Sequence, residues 1–301
     1  MYKYILILLA GVALACNNPI NPQSKIKDKF NEKAAELKQQ HIYDMPKELD
    51  EISGISFIND SLVTGIEDEN GILYFYNLKE KKITRQLKFG DIGDYEDLAI
   101  VGKDIYIINS SGVIYQIKNF ESETPITTSI NTPLSKKNDI ESIAYQPKKN
   151  RLLIGVKGRN LDKSEDNKQV YPFDLTSLQL DTKSVYSLNV KEIEKYFKGD
   201  AIEETSKKFL KALGNQNISK VFHTSSMTVN PENGDIMMLS SLNNILAILS
   251  ESGDLKKVYI VDGKDFRQPE GIAFSPNGKL YISNESGGKG SGNIIEMKYA
   301  N

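Results

Sequence analysis

From residue 41 onward, short runs of alternating apolar and polar residues are separated by Gly, Pro, Asn, Asp and Ser, which predicts β-strands joined by tight turns. Five segments line up on one template: 53-SGISFINDSLVTG-65, 96-EDLAIVGKDIYII-108, 141-ESIAYQPKKNRLLIG-155, 225-SSMTVNPENGDIMML-239 and 270-EGIAFSPNGKLYIS-283. Each holds a small or acidic residue, an apolar strand, a turn and a second apolar strand. A third strand comes next in every case: 71-GILYFYNL-78, 112-GVIYQI-117, 169-QVYPFDL-175, 244-NILAIL-249 and 292-GNIIEM-297.

The first residues of the five units are spaced by 43, 45, 84 and 45 positions. A repeat of that length with four strands per unit predicts an all-β fold, a β-propeller of five four-stranded blades. The 84-residue interval leaves six blades as the alternative, or five with an insertion. The insertion reading is preferred. The segment 184-SVYSLNV-190 supplies a fourth strand for the third blade, and residues 191–214 after it are helical in character. Asp200 and Glu203 there have capping-box spacing, Phe209, Leu210 and Leu213 form an apolar stripe, and Gly214 offers a C-cap. The last unit has no room for a fourth strand before Asn301. Because 41-HIYDMPKELDEISGISF-57 parallels 257-KVYIVDGKDFRQPEGIAF-274, the strand around Ile42 and Tyr43 is expected to complete the last blade and close the ring.

Ahead of the repeats, 1-MYKYILILLAGVALAC-16 carries Lys3, an apolar run too short to span a bilayer and small Ala15 before Cys16, so residues 1–15 read as a secretory signal. Leu14, Ala15 and Cys16 resemble a bacterial lipobox, although Ala13 stands where Leu is usual. The expected outcome is lipidation of Cys16 and a protein tethered to an envelope membrane, facing the periplasm or the exterior. A simply cleaved export signal with Cys16 as a free thiol is the alternative. Residues 16–40 form a tether, and Ile26, Phe30, Ala34 and Leu37 at helical spacing predict a short amphipathic helix over 25–40. The propeller domain then spans 41–301.

Composition narrows the chemistry. A formal net charge of -2 predicts no nucleic-acid partner. The only histidines are His41 and His223, which removes His-based zinc or iron sites and leaves acid–base work to carboxylates, Lys or Tyr. Within 222-FHTSS-226, His223 lies near Ser225 and Ser226, but without a nucleophile elbow the segment reads as a strand approach. The Gly-rich 286-SGGKGSG-292 lacks the strand–helix context of a phosphate loop and reads as a turn. Tyr74, Tyr76, Tyr106 and Tyr281 fall on strand alternation and read as blade packing.

In a blade, the start of the first strand and the end of the second lie at the same mouth of the channel. Glu96, Glu141 and Glu270 occupy first-strand starts, with Ser53 and Ser225 in the other two blades. Second-strand ends bring Glu67, Asp68, Glu69, Asn109, Ser110, Lys157, Arg159, Ser240, Ser241, Asn284 and Glu285 to the same mouth. Crowded carboxylates must be offset by a cation, by Lys157 and Arg159, or by protonation of one member. Oxygen ligands alone favour Ca²⁺ over zinc. The alternative is that each Glu accepts backbone N–H groups of the next blade and serves only to join blades.

Taken together, 51-EISGISF-57, 94-DYEDLAI-100, 138-NDIESIAY-145, 225-SSMTVNPENGDIMMLSS-241 and 268-QPEGIAFSPNGKLYISNE-285 resemble the SdiA-regulated family of bacterial envelope propellers over residues 41–301. The resemblance implies an exported or membrane-anchored propeller and leaves activity open. More distantly, an acid before each inner strand is similar to the calcium-containing gluconolactonase-like and phytase propellers. That likeness implies cation ligands at Glu96, Glu141, Glu270 and Asn284; Asp68 and Asn109 are further ligand candidates by their place at second-strand ends. It also implies Lys157 and Arg159 facing an anionic substrate. Ser53 and Ser225 interrupt the acidic column, which departs from that pattern. The expectation is a module binding a small polar ligand, a divalent cation, or both. A calcium-dependent hydrolase of lactones or phosphate esters, and a scaffold contacting an envelope protein through its rim or the helical insertion 191–214, are the alternatives.

Overall fold

The computed structural model describes residues 35–164, 167–196, 222–261, 264–288 and 290–299. Two strands precede the first blade, β1 (Ala35–Glu36) and β2 (Gln39–Asp44). Blade one is β3 (Ile52–Asn59), β4 (Leu62–Glu67), β5 (Ile72–Asn77) and β6 (Lys82–Lys88). Blade two is β7 (Tyr95–Val101), β8 (Asp104–Asn109), β9 (Val113–Lys118) and β10 (Ile126–Asn131). Blade three is β11 (Ile140–Gln146), β12 (Arg151–Val156) and β13 (Asn167–Asp174), edged by β14 (Gln179–Leu180) and β15 (Tyr186–Asn189). A short helix α1 (Val190–Lys195) comes after it. Blade four is β16 (Ser226–Val229), β17 (Ile236–Ser240), β18 (Ile245–Leu249) and β19 (Leu255–Ile260). Blade five is β20 (Gln268–Phe274), β21 (Leu280–Glu285) and β22 (Asn293–Met297), with β2 as its outer strand.

The five inner strands touch in the cyclic order β3, β7, β11, β16, β20 and back to β3, so the ring is closed and has five blades. The closing strand falls where the sequence places it: β2 pairs antiparallel with β22, Ile42 opposite Ile295 and Tyr43 opposite Ile294. Strand alternation explains the packing. Successive side chains leave opposite faces of a strand, and both faces of every blade meet a neighbour. In β5, Leu73 and Phe75 pack toward blade two, whereas Tyr74 and Tyr76 pack toward blade five. One apolar cluster fills each of the five blade interfaces. Tyr74, Tyr76, Tyr106 and Tyr281 are all buried in them, in the packing role expected. Turn chemistry also agrees with the sequence. In the β20–β21 hairpin, Gly278 at φ +81° closes onto Ser275, donating its N–H to the Ser275 carbonyl at 2.9 Å.

Two expectations change, and others fall outside the described residues. The helix expected over 25–40 begins outside the described residues, and its end, 35–40, is extended. Ala35 and Glu36 pair in parallel with Tyr259 and Ile260, and Leu37 is buried between blades four and five. An unpaired sheet edge competes for this segment, and backbone pairing plus burial of Leu37 outweighs a marginal short helix. The outer strand of blade three is split. Gln179–Leu180 pairs with Asp174 and Phe173, and Tyr186–Asn189 pairs with Val170 through Asn167. The capping box and apolar stripe at 200–214 lie outside the described residues, as do the leader 1–15 and Cys16. No helix among the described residues is long and apolar enough to cross a membrane.

Candidate functional site

The inner strands share an irregularity at one end. In blade two Tyr95 pairs with Asn109 and Asp97 with Ile108, so Glu96 is an extra residue. Glu141 stands between the pairs Ile140–Val156 and Ser142–Gly155, and Glu270 between Pro269–Asn284 and Gly271–Ser283. Ser53 and Gly54 lie in the corresponding irregularity of blade one. In blade four the Ser225 N–H donates to the carbonyl of Leu239, the residue paired with Ser226. Four members of the column identified in the sequence therefore sit at β-bulges, which interrupt strict alternation and re-aim a side chain, and Ser225 stands just ahead of β16.

The three glutamates influence one another across blades. Glu141 is 7% exposed and its Oε1 accepts from Lys157 Nζ at 2.7 Å. Burial pushes Glu96 up to about 10, reinforced by Glu141, Asp94 and Glu270 and opposed by Lys157. Burial also pushes Glu141 up to about 7 against the pull of Lys157. Glu270 is raised by burial, against a hydrogen bond from Ser241 and the charge of Lys157. Burial lowers the Lys157 pKa, but Glu141, Asp139 and Glu270 outweigh it and hold the amine protonated. The Lys157 ammonium thus faces a surplus of carboxylates, and the surplus is carried as bound protons when no other cation is present.

A second acidic group lies on the rim of blades five and one. Burial, then Glu270, Glu51, Asp68 and Glu141, push Glu285 up to about 8. Asp68 is raised by burial and by Glu67, Glu69 and Glu51. Two buried oxygens near the mouth have no hydrogen-bond partner, Asn284 Oδ1 and Thr224 Oγ1. Asn284 Nδ2 donates to Asn293 Oδ1 at 2.9 Å, leaving its carbonyl uncommitted. Among the described residues, no three His, Cys, Asp or Glu side chains come close enough to hold one metal ion.

Other expected site residues take structural parts. Asn109 Oδ1 accepts from Ser111 Oγ and the Val113 N–H and closes its own turn. Glu67 caps the next turn by accepting from the N–H groups of Glu69 and Asn70. The Arg159 side chain is exposed, and its backbone carbonyl receives Asn138 Nδ2. Ser225 Oγ donates to the Pro269 carbonyl and Ser226 Oγ to Asp97 Oδ2, so both hydroxyls beside His223 join blades.

Asp97 is the residue that sequence reasoning passed over. It comes directly after Glu96 and is 1% exposed. Its Oδ1 accepts from the Leu98 N–H, and its Oδ2 from the Ile143 N–H at 3.1 Å and Ser226 Oγ at 2.9 Å. Ser226 Oγ in turn accepts from the Ile272 N–H. A Cβ on Gly54 would stand 2.5 Å from Asp97 Oδ1, so blade one needs a glycine to close against it. Directly or through Ser226, one carboxylate thereby links four inner strands by hydrogen bonds, and Gly54 of the fifth packs against it. An Asp inside the apolar run DLAI was the available signal.

The sequence matches the SdiA-regulated family over residues 28–287. The chain belongs to the SdiA-regulated family. No curated protein matches this SdiA-regulated chain in sequence. Solved structures similar to it include Myxococcus xanthus glutaminyl cyclase, at TM-score 0.56 and 11% identity over 89% of this chain and 98% of that one. A luciferin-regenerating enzyme matches at 0.50 and 10% identity, covering 87% and 96%. The PQQ-bound aldose sugar dehydrogenase of Streptomyces coelicolor matches at 0.50 and 9%, covering 87% and 97%. At such identities these likenesses speak for the propeller fold and for nothing finer.

Proposed function

We propose that this SdiA-regulated propeller is an envelope-anchored binding module whose channel mouth takes a small cationic ligand, an organic ammonium or a divalent cation. The observation carrying this reading is that Glu96, Glu141 and Glu270, from three separate blades, are placed at one mouth by equivalent bulges and are offset there by the ammonium of Lys157. Carboxylates kept protonated by burial and mutual repulsion exchange those protons for a cation, so binding strengthens as pH rises. Ser241 adds a hydroxyl that hydrogen-bonds Glu270.

Thermal unfolding at pH 8 with methylammonium or calcium chloride tests the site. A ligand at about one hundred times its dissociation constant stabilises by about 2.7 kcal/mol, on the order of 5–10 °C for a domain of this size. Glu96→Gln, Glu141→Gln and Glu270→Gln are each expected to remove at least half of that shift. A parent protein whose melting temperature responds to neither cation refutes the reading. Anchoring is tested separately: Cys16→Ala is expected to move the protein from the membrane to the soluble fraction, and retention in the membrane excludes Cys16 as the tether.

A further inference from the structure

We infer that the outer strand of blade two, β10, is an interaction surface for a second copy of this chain, pairing antiparallel with the same strand about a two-fold axis at Thr128. The first support is an open edge. β10 pairs with β9 along its whole length, from Ile126 opposite Lys118 to Asn131 opposite Val113, and has no strand on its other side among the described residues. An open edge offers a row of backbone N–H and C=O groups to another strand, and proteins blunt such edges with charge, proline, short strands or a cover. The other blades do so. β6 carries Lys82, Arg85 and Lys88, and β19 carries Lys256 and Lys257 and is partly covered by β1. β2 ends at Asp44, and the edge of blade three is split into short pieces. The strand 126-ITTSIN-131 holds no charge and no proline, and Ile126 is 64% exposed.

The second support selects the partner. Two-fold symmetry about an axis normal to an antiparallel pair sets one residue opposite itself, and opposed residues share a face. With Thr128 on the axis, Ile126 of one copy meets Ile130 of the second, Thr127 meets Ser129, and Thr128 meets Thr128. The run Ile-Thr-Thr-Ser-Ile thus reads alike in both directions. Each apolar residue finds an apolar one and each hydroxyl a hydroxyl, which are stabilising cross-strand pairs. Ile126 gains cover from an Ile130 that is already packed against the cluster between blades two and three of its own copy. The third support is charge. Exposed Glu121 and Glu123 stand before the strand, and exposed Lys136 and Lys137 stand after it. Antiparallel pairing brings the acidic end of each copy toward the basic end of the other, whereas parallel pairing would set like charges together. Pro125 and Pro133 bound the run on both sides, so the contact is small and the dimer belongs to the weak, reversible class.

Sedimentation velocity of the full chain over roughly 1–500 µM, the range in which a small interface associates, is expected to show a monomer–dimer equilibrium. Thr128→Lys sets two ammonium groups against each other on the axis, and Ile126→Lys removes an apolar pair. Each is expected to weaken dimerisation at least about tenfold. Gln86→Lys, exposed on the edge of blade one, controls for added charge and is expected to leave it within about twofold. The register is read by cross-linking with copper phenanthroline. Thr128→Cys places two sulfurs directly opposite and within bridging range, so a disulfide-linked dimer is expected. Ser129→Cys places them on a diagonal of roughly 7–8 Å and is expected to link no more than the parent, whose only cysteine is Cys16. A chain that stays monomeric throughout overturns the proposal and leaves the edge to a different occupant. A dimer that Thr128→Lys does not weaken also overturns it, as does equal linkage by Thr128→Cys and Ser129→Cys.

Discussion

Replacing Asp97 with Ala is expected to lower the unfolding free energy by about 3–5 kcal/mol, more than any other single substitution near the channel. The Ile143 N–H and Ser226 Oγ both donate to Asp97 Oδ2, and both belong to residues enclosed by the inner strands, so neither can turn to solvent for another acceptor. Each donor left without an acceptor costs about 1–3 kcal/mol. The loss also propagates. Ser226 holds the Ile272 N–H, so freeing its hydroxyl loosens blade five as well as blades three and four. Asp97→Asn keeps the volume and one acceptor but aims an NH₂ group at donors, and is expected to be intermediate. Urea denaturation at pH 6 measures both, with the transition midpoint falling and the slope unchanged. A loss below about 1 kcal/mol for the Ala variant refutes the role given to this carboxylate, since a solvated surface acid costs no more.

The second large effect is on pH. Ligand-free stability is expected to fall as pH rises from about 5 to about 9. Glu141, Glu285 and Glu96 have folded-state pKa values of about 7, 8 and 10 against an ordinary 4.5. Across that interval the folded protein therefore holds more protons than the unfolded chain, and stability declines with pH. Asp94, Glu141 and Glu270 face Glu96 with like charge, and Lys157 is the cation opposing them. Glu96→Gln removes the most perturbed member while keeping its shape. It is expected to raise the melting temperature at pH 8 by on the order of 2–6 °C and to leave it unchanged at pH 4, where both states of the parent carry the proton. A Glu96→Gln variant less stable than the parent at pH 8 would show that this carboxylate is ionised and paired. The stability that the parent forgoes at high pH is what a cation recovers, as expected where a site is kept poised for a ligand.

Much of the ring was legible because its signals are local. Alternation and turn residues, Ser-Pro-Asn-Gly in the last unit among them, define each hairpin, and spacings of 43, 45, 84 and 45 residues repeat it around the ring. The strand at Ile42 was legible because its neighbourhood copies the one that precedes β20. The acidic column was legible in part. Glu96, Glu141 and Glu270 hold the same place in the repeat, but the bulges that aim them appear only in the pairing. Asn109 shows the limit: a polar residue at a strand end serves equally as a ligand or as a turn cap, and its hydrogen bonds to Ser111 and Val113 decide. At residues 35–40 helical spacing was outweighed by the exposed edge of β19, a partner more than two hundred residues away in the chain.

The sequence by itself determined the repeat, the strand order, the closing strand and the chemical character of one mouth. Those arise from interactions between residues near each other in the chain, or from copies of one local pattern. Only the tertiary structure decided that Asp97 links four inner strands, that Glu285 stands among the charges of Glu270, Glu51 and Asp68, and that Asn284 Oδ1 is buried without a hydrogen-bond partner. These are properties of distance and burial between blades. Charge repulsion, desolvation and an unmet hydrogen bond exist only once residues from different repeats share one enclosed space.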